Sequence, residues 1–206
     1  MARKTKEEAQ LTRIQLLEAA ERLFSERGVS RTTLNDIATA AGVTRGAVYW
    51  HFQNKADLLQ ALWEHVALPL QESFDEIERT MADNPLGLIR AKAVSVLTKV
   101  VHDSGVRSLL SILLLKCEYV DEPGGMRDGY LSKRGECFSE ISEKFRRAIS
   151  CGQLPSGVNA EQAAVGLMAM IDGLSFHWLM NPSLFSLEDS APVMIDAYLK
   201  GLAIPA

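Results

Sequence analysis

Residues 33–52 read TLNDIATAAGVTRGAVYWHF, two short apolar-periodic runs on either side of one glycine. In the first, Leu34, Ile37, Ala38 and Ala41 recur at i, i+3, i+4 and i+7, the spacing of one helical face. Thr33 stands at the N-cap with Asp36 three residues on, the reciprocal pattern of a capping box. Gly42 permits the positive φ of a tight turn, and Thr44 caps a second run ending near Trp50. Leu34, Ile37, Ala38, Val43 and Val48 then face back toward whatever precedes them.

Two short helices joined in this way are the helix-turn-helix arrangement, whose second helix enters the major groove of DNA. The second run offers Thr44, Arg45 and Gly46 at its N-terminus. Arg45 can fork onto guanine O6 and N7, and Gly46 has no side chain to hold the helix off the groove. Tyr49, His51 and the hydroxyls of Thr33 and Thr44 are placed to meet phosphates. Asn54 caps the next helix, so Lys55 puts a cation and free N–H groups at a helix start, a natural phosphate site. Trp50 has two readings, core or contact, since an aromatic at the end of a short helix serves either purpose.

The rest of the chain reads as helix, with no convincing strand. Ile14, Leu17, Ala20 and Phe24 give a first helix over about 8–27, closed by Gly28. Leu58, Leu62, Val66 and Leu70 mark a long helix after Asn54. Pro85 suits the first turn of another, and a further helix through 109–119 ends at the breaker Asp121-Glu122-Pro123-Gly124-Gly125. Helices over about 126–150, from Asn159 to Asn181, and over about 187–202 complete an all-α fold. The expected division is a helix-turn-helix DNA-binding domain over 1–54 and a larger helical effector-binding and dimerisation domain over 55–206.

Charge supports that division. Residues 1–55 hold nine Lys/Arg against six Asp/Glu, and the remainder thirteen against twenty, so a basic head precedes an acidic body within a net charge of −4. The opening MARKTKEEAQ has no apolar region behind its charges and is no secretory signal, and the densest apolar run, 109–115, falls far short of a membrane span. The expectation is a cytoplasmic protein with no membrane partner. Cys117, Cys137 and Cys151 form no metal-ligand spacing and no disulfide framework. His65, His102 and His177 are scattered, and no nucleophile elbow or phosphate loop is present, so no enzyme activity, metal or cofactor is expected.

The stretch TTLNDIATAAGVTRGAVYWHFQNKADLL resembles the DNA-binding domain of TetR-family repressors. MARKTKEEAQ, TRGAVYWHF and the KCEY at 116–119 further resemble the AcrR/TtgR branch of multidrug efflux regulators. The resemblance is dense over about the first 65 residues and sparse afterwards. It implies a dimeric repressor on palindromic double-stranded operator DNA, released by a hydrophobic or aromatic small molecule. It places Thr33, Thr44, Arg45, Tyr49, Trp50, His51 and Lys55 at the DNA, with the arm residues Arg3, Lys4 and Lys6 as further phosphate or minor-groove contacts. The last two long helices, here taken as about 126–150 and 160–180, would pair with those of a second subunit.

The body has the composition of a ligand pocket, apolar helices with a few polar anchors. On the helix from Asn159, Met168, Ile171, Asp172 and Ser175 share one face, read as pocket lining. Gly166, Met170, Gly173, His177 and Trp178 share the other, read as dimer contact, with the glycines allowing close approach. Val66, Leu70, Val96, Leu110, Leu114, Cys117, Cys137 and Ile141 are the other pocket candidates, and leucines at 110 and 114 make it a greasy one. Asp172 needs a partner if buried: a phenolic or cationic ligand, or an internal arginine such as Arg107. The alternatives are a redox- or metal-responsive repressor working through Cys117, Cys137 and Cys151, and a ligand-binding protein whose helix-turn-helix serves protein contacts.

Overall fold

The computed structural model describes residues 6–119 and 125–204. Arg3, Lys4 and residues 121–124 of the expected breaker lie outside the described residues. In order the helices are α1 (Lys6–Arg27), α2 (Leu34–Ala40), α3 (Arg45–His51), α4 (Lys55–Thr80), α5 (Pro85–His102), α6 (Ser104–Ser111), a π-helical turn (Ile112–Lys116), α7 (Met126–Ser150), α8 (Ala160–Met180) and α9 (Leu187–Leu202). The helix expected over 109–119 is thus the end of α6 followed by a π-turn, a wider coil that no spacing rule anticipates.

Two compact units emerge from the packing, one of residues 1–66 with 108–130, the other of 67–107 with 131–206. The expected division falls at 54/55; by packing, residues 108–119 and 125–130 group with the head.

In the first unit, α1 buries Leu16, Leu17, Ala20, Leu23 and Phe24 on one face. Onto it pack Leu34, Ile37 and Ala38 of α2, Val48 of α3 and Leu58, Leu59, Ala61 and Leu62 of α4. Leu109 of α6 and Ile112 and Leu113 of the π-turn close the same core. Two glycines take backbone shapes that β-carbons resist. Gly42, at φ +68°, lets the Val43 amide reach back to the Ala38 carbonyl and its own amide to Thr39, which ends α2 and turns the chain into α3. Gly28, at φ +83°, ends α1 with its amide on the Phe24 carbonyl.

In the second unit, α5 and α9 pack along each other and α8 packs against both. Leu88, Ile89, Ala93, Leu97 and Val100 of α5 are buried together with Ile195 and Leu199 of α9 and Ala163, Ala164 and Leu167 of α8. Two ion pairs link the antiparallel α7 and α8: Arg134 with Asp172 at 2.5 Å and Arg146 with Glu161 at 2.7 Å. The α4–α5–α7 side is held by a charge network. Glu78 takes the ammonium groups of Lys92 at 2.7 Å and Lys144 at 2.9 Å, and Lys92 also reaches Glu140 at 2.9 Å.

By length and composition α8 could cross a membrane, contrary to the expectation that no stretch approaches a span. Glycines and alanines disguise the run in the sequence. In the fold α8 is a packing helix whose Ala160, Ala163, Ala164, Leu167 and Ser175 are buried within the unit.

The Glu78 network makes stability pH-dependent. Hydrogen bonds from Lys92, then from Lys144, hold the Glu78 carboxyl down to about 2, against an ordinary 4.5. A carboxyl depressed on folding adds stability that is complete above its unfolded value and lost as pH falls toward its folded one. The window is therefore pH 4.5 down to about 2. With the side chain 37% exposed, solvent screening reduces the effect to about 1 kcal/mol. Urea denaturation should show Glu78→Gln less stable than the parent chain by about that amount at pH 6, the difference closing below pH 3. A difference independent of pH would contradict the network.

Arg134 and Asp172 yield a second prediction. Burial pushes the Asp172 carboxyl up while Arg134 pulls it down. Arg134→Met alone should cost about 1–3 kcal/mol, because it strands a half-buried carboxylate, and adding Asp172→Asn should recover most of it. Equal losses in the single and double variants would mean that the two groups do not interact.

Candidate DNA-reading site and effector domain

Both short helices start on threonine caps. Thr33 accepts from the Asp36 amide at 3.1 Å, while the Asp36 carboxylate accepts from the Thr33 amide at 2.9 Å and from its hydroxyl at 2.6 Å. These bonds hold the Asp36 carboxyl below its usual range. The Thr44 hydroxyl accepts from the Ala47 amide at 3.2 Å, so α3 begins squarely at Arg45. Of the seven residues of α3, only Val48 is buried.

The rest of α3 is what the head presents outward. Arg45 lies exposed with its guanidinium 5.4 Å from the Tyr49 ring centroid, so an aromatic face steadies the cation. A Cβ on Gly46 would meet nothing closer than Thr44 Oγ1 at 4.0 Å, so its missing side chain answers no crowding within the chain. Tyr49 is 48% exposed and Trp50 73% exposed, which settles Trp50 against a core role. The Trp50 and His51 rings meet edge to face at 4.5 Å. Phe52, next in line, is the anchor instead: it is buried, with the Arg13 guanidinium 5.4 Å from its ring centroid.

Lys55 has partners within the chain. Its ammonium is turned inward, donating to the Val29 carbonyl at 2.8 Å and the Ser30 carbonyl at 3.2 Å. No spacing in the sequence links a lysine to carbonyls twenty-five residues upstream.

The pocket candidates divide between the units. In the first, Val66, Leu110, Leu114 and Cys117 are half-buried, and Val66 and Cys117 lean on the core of the head. An aromatic group adjoins them that the sequence reading missed. Tyr130 meets Trp63 at 6.3 Å and Tyr119 at 4.7 Å between ring centroids, and the Tyr119 hydroxyl donates to the Leu113 carbonyl in the π-turn. In the second unit, Leu70, Val96, Cys137, Ile141, Met168, Ile171 and Asp172 are half-buried. Ser175 is buried, and its hydroxyl finds no hydrogen-bond partner among the described residues.

Arg134 is the partner of Asp172, not Arg107. Arg107 is committed elsewhere, to the carbonyls of Val100 and Val101 at the end of α5, with its guanidinium 5.9 Å from the Trp178 ring centroid.

Of the expected dimer face, His177 is exposed, while Gly166, Met170, Gly173 and Trp178 are half-buried. Gly166 makes room within the chain: a Cβ there would collide with the Tyr198 hydroxyl, which donates to the Ala163 carbonyl at 2.7 Å. The uncovered apolar side chains of this unit include Val165, Phe176 and Met180 on α8 and Val193 and Met194 on α9, besides Leu68 on α4, Leu131 on α7, Leu184 and Ile204. The solvent-facing residues of α7 are mostly charged and polar, with Leu131 as an exposed apolar exception.

The three cysteines lie apart, Cys117 and Cys137 half-buried and Cys151 exposed. Burial pushes the Cys117 and Cys137 thiols up, away from the reactive thiolate, and no group of metal-ligating side chains occurs among the described residues.

Comparison with known proteins agrees with this geometry. Residues 16–62 match the family model described as bacterial regulatory proteins, tetR family, and residues 84–204 match MAATS-type transcriptional repressor, C-terminal region. The chain is 42% identical to the HTH-type transcriptional regulator TtgR of Pseudomonas putida, over 99% of this chain and 97% of that one. NalD of Pseudomonas aeruginosa, the secondary repressor of the MexAB-OprM multidrug efflux pump, superposes with a TM-score of 0.82 at 32% identity, covering 98% of this chain and all of that one. SmeT of Stenotrophomonas maltophilia, solved in complex with triclosan, gives a TM-score of 0.81 at 32% identity, covering 96% of this chain and 94% of that one. The chain belongs to the TetR family of bacterial transcriptional repressors.

Proposed function

We propose that this repressor controls a multidrug efflux operon, binding a palindromic operator as a homodimer in the cytoplasm and releasing it when a hydrophobic small molecule enters the body. The observation that carries the DNA-reading half is α3, a helix capped by Thr44 that offers Arg45, Tyr49 and Trp50 to solvent from a base buried through Val48. An exposed tryptophan and an arginine at the start of a seven-residue helix serve no purpose in the fold itself. They suit a helix laid end-on in a major groove, with Thr33 and His51 near the phosphates.

The efflux reading draws on what NalD and SmeT are known to repress, and the effector class on the triclosan bound to SmeT. The pocket candidates of the body fit such a ligand, with Leu70, Val96, Ile141, Met168 and Ile171 beside the Arg134–Asp172 pair and the Ser175 hydroxyl. Dimerisation would cover the apolar face of α8 and α9, where Val165, Met180 and Val193 are each more than half exposed.

Release then follows as a population shift. Two heads read successive major grooves only when spaced about 34–36 Å apart. An effector that binds better to dimers with another spacing lowers the DNA-competent fraction, and a preference of a few kcal/mol is enough. Helix α4 is the natural lever, because its start belongs to the head and its remainder to the body.

Arg45→Ala should weaken binding to the specific operator by about 1–3 kcal/mol while leaving binding to unrelated DNA nearly unchanged. Fluorescence anisotropy with both duplexes at one salt concentration reads this directly. If Arg45→Ala held both duplexes as the parent protein does, α3 would not be the reading helix.

A further inference from the structure

In the second unit, close backbone packing joins α5, α8 and α9. The end of α4 meets α5 and α7 differently, through long side chains. Glu78 of α4 takes the ammonium groups of Lys92 on α5 and Lys144 on α7, and the Lys92 ammonium also lies 4.9 Å from the Phe74 ring centroid. Helical spacing extends each of these contacts into a stripe. Phe74 and Leu70 lie one and two turns before Glu78, Val96 lies one turn after Lys92, and Ile141 and Cys137 lie one and two turns before Lys144. All five are half-buried. Three apolar stripes therefore converge on one charged cluster.

The charges of that cluster are unevenly placed. The Lys92 and Lys144 side chains are 14% and 18% exposed, against 37% and 51% for Glu78 and Glu140. The protected side of the cluster is thus its ammonium side. Lys92 has both carboxylates, while Lys144 has Glu78, which it shares, as its one partner among the described residues. An ammonium carries three donors, so two of those on Lys144 have no acceptor among the described residues. A mostly buried ammonium with unused donors attracts an anionic oxygen and repels a cation.

We infer that Lys144, with Lys92 beside it, receives the acidic group of an apolar effector, a carboxylate or phenolate whose hydrocarbon part lies along Phe74, Val96 and Ile141. The two lysines are then specificity-determining residues that favour weak acids over neutral and cationic compounds of the same shape. This polar end is separate from the Arg134–Asp172 pair, since Lys144 lies ten residues, about 15 Å, along α7 from Arg134. The inference rests on the reading of the body as effector-binding, and it names the class of effector.

The test uses naphthoate and naphthamide, which share a shape and differ in charge. Each is titrated by calorimetry at neutral pH into the unaltered full-length protein and into Lys144→Met. The unaltered protein binds naphthoate about tenfold more tightly than naphthamide, the worth of one hydrogen bond to a charged group. Lys144→Met brings naphthoate down to the affinity of naphthamide and leaves naphthamide binding unchanged, which also shows that the variant is folded. Equal affinities in the unaltered protein overturn the inference, and so does a preference for naphthoate that survives in Lys144→Met. Naphthoate that binds as inferred but does not weaken binding to an operator duplex selected from random DNA refutes the effector reading and leaves the site standing.

Because Lys144→Met can also loosen the body, acetylation of lysines in the unaltered protein provides an independent measurement. Saturating naphthoate slows the acetylation of Lys144, and naphthamide does not. Bound naphthoate that leaves the rate at Lys144 unchanged contradicts the site.

Discussion

The DNA-reading head depends on the burial of one face of α3. A helix of seven residues has too few internal hydrogen bonds to persist in water, so α3 exists only because Val48 and the following Phe52 are sealed in a core built on α1. The same core consumes Leu34, Ile37 and Ala38 of α2 and the first two turns of α4. With its apolar side committed, α3 has only Arg45, Tyr49, Trp50 and their neighbours to show outward. The chemistry of the site is thus a by-product of the packing, and any change that loosens α1 reaches the DNA through Val48.

What was legible in the sequence was whatever is encoded locally. The caps at Thr33, Thr44, Asn54 and Asn159, and the turn at Gly42, each lie within a few residues of what they organise, so spacing alone located them. The helix boundaries followed. Side chains that act at a distance were not legible. Lys55 reaches back to Val29, Arg134 reaches forward to Asp172, and Gly166 gives way to Tyr198, and no periodicity carries such pairings. The π-turn was hidden for another reason: its five residues, ILLLK, satisfy the helical pattern equally well, and the turn packs against α1.

The body illustrates the same limit on the ligand side. An apolar face of α8 could be assigned from its periodicity, but its division between neighbours could not. Tyr198 of α9 occupies the space that Gly166 makes, while Val165 and Met180 are left uncovered. Asp172 was recognisable as a carboxylate in need of a partner, and the fold supplies Arg134. A ligand that engaged Asp172 would have to compete with that guanidinium or use it.

The central claim joins DNA binding to effector release, and one titration tests both. Binding to the DNA upstream of its own gene should be tight at fixed salt and should weaken in the presence of a hydrophobic drug such as triclosan, with the midpoint depending on drug concentration. Operator affinity that stays constant across a panel of such compounds, each shown to bind the free protein, would contradict the account.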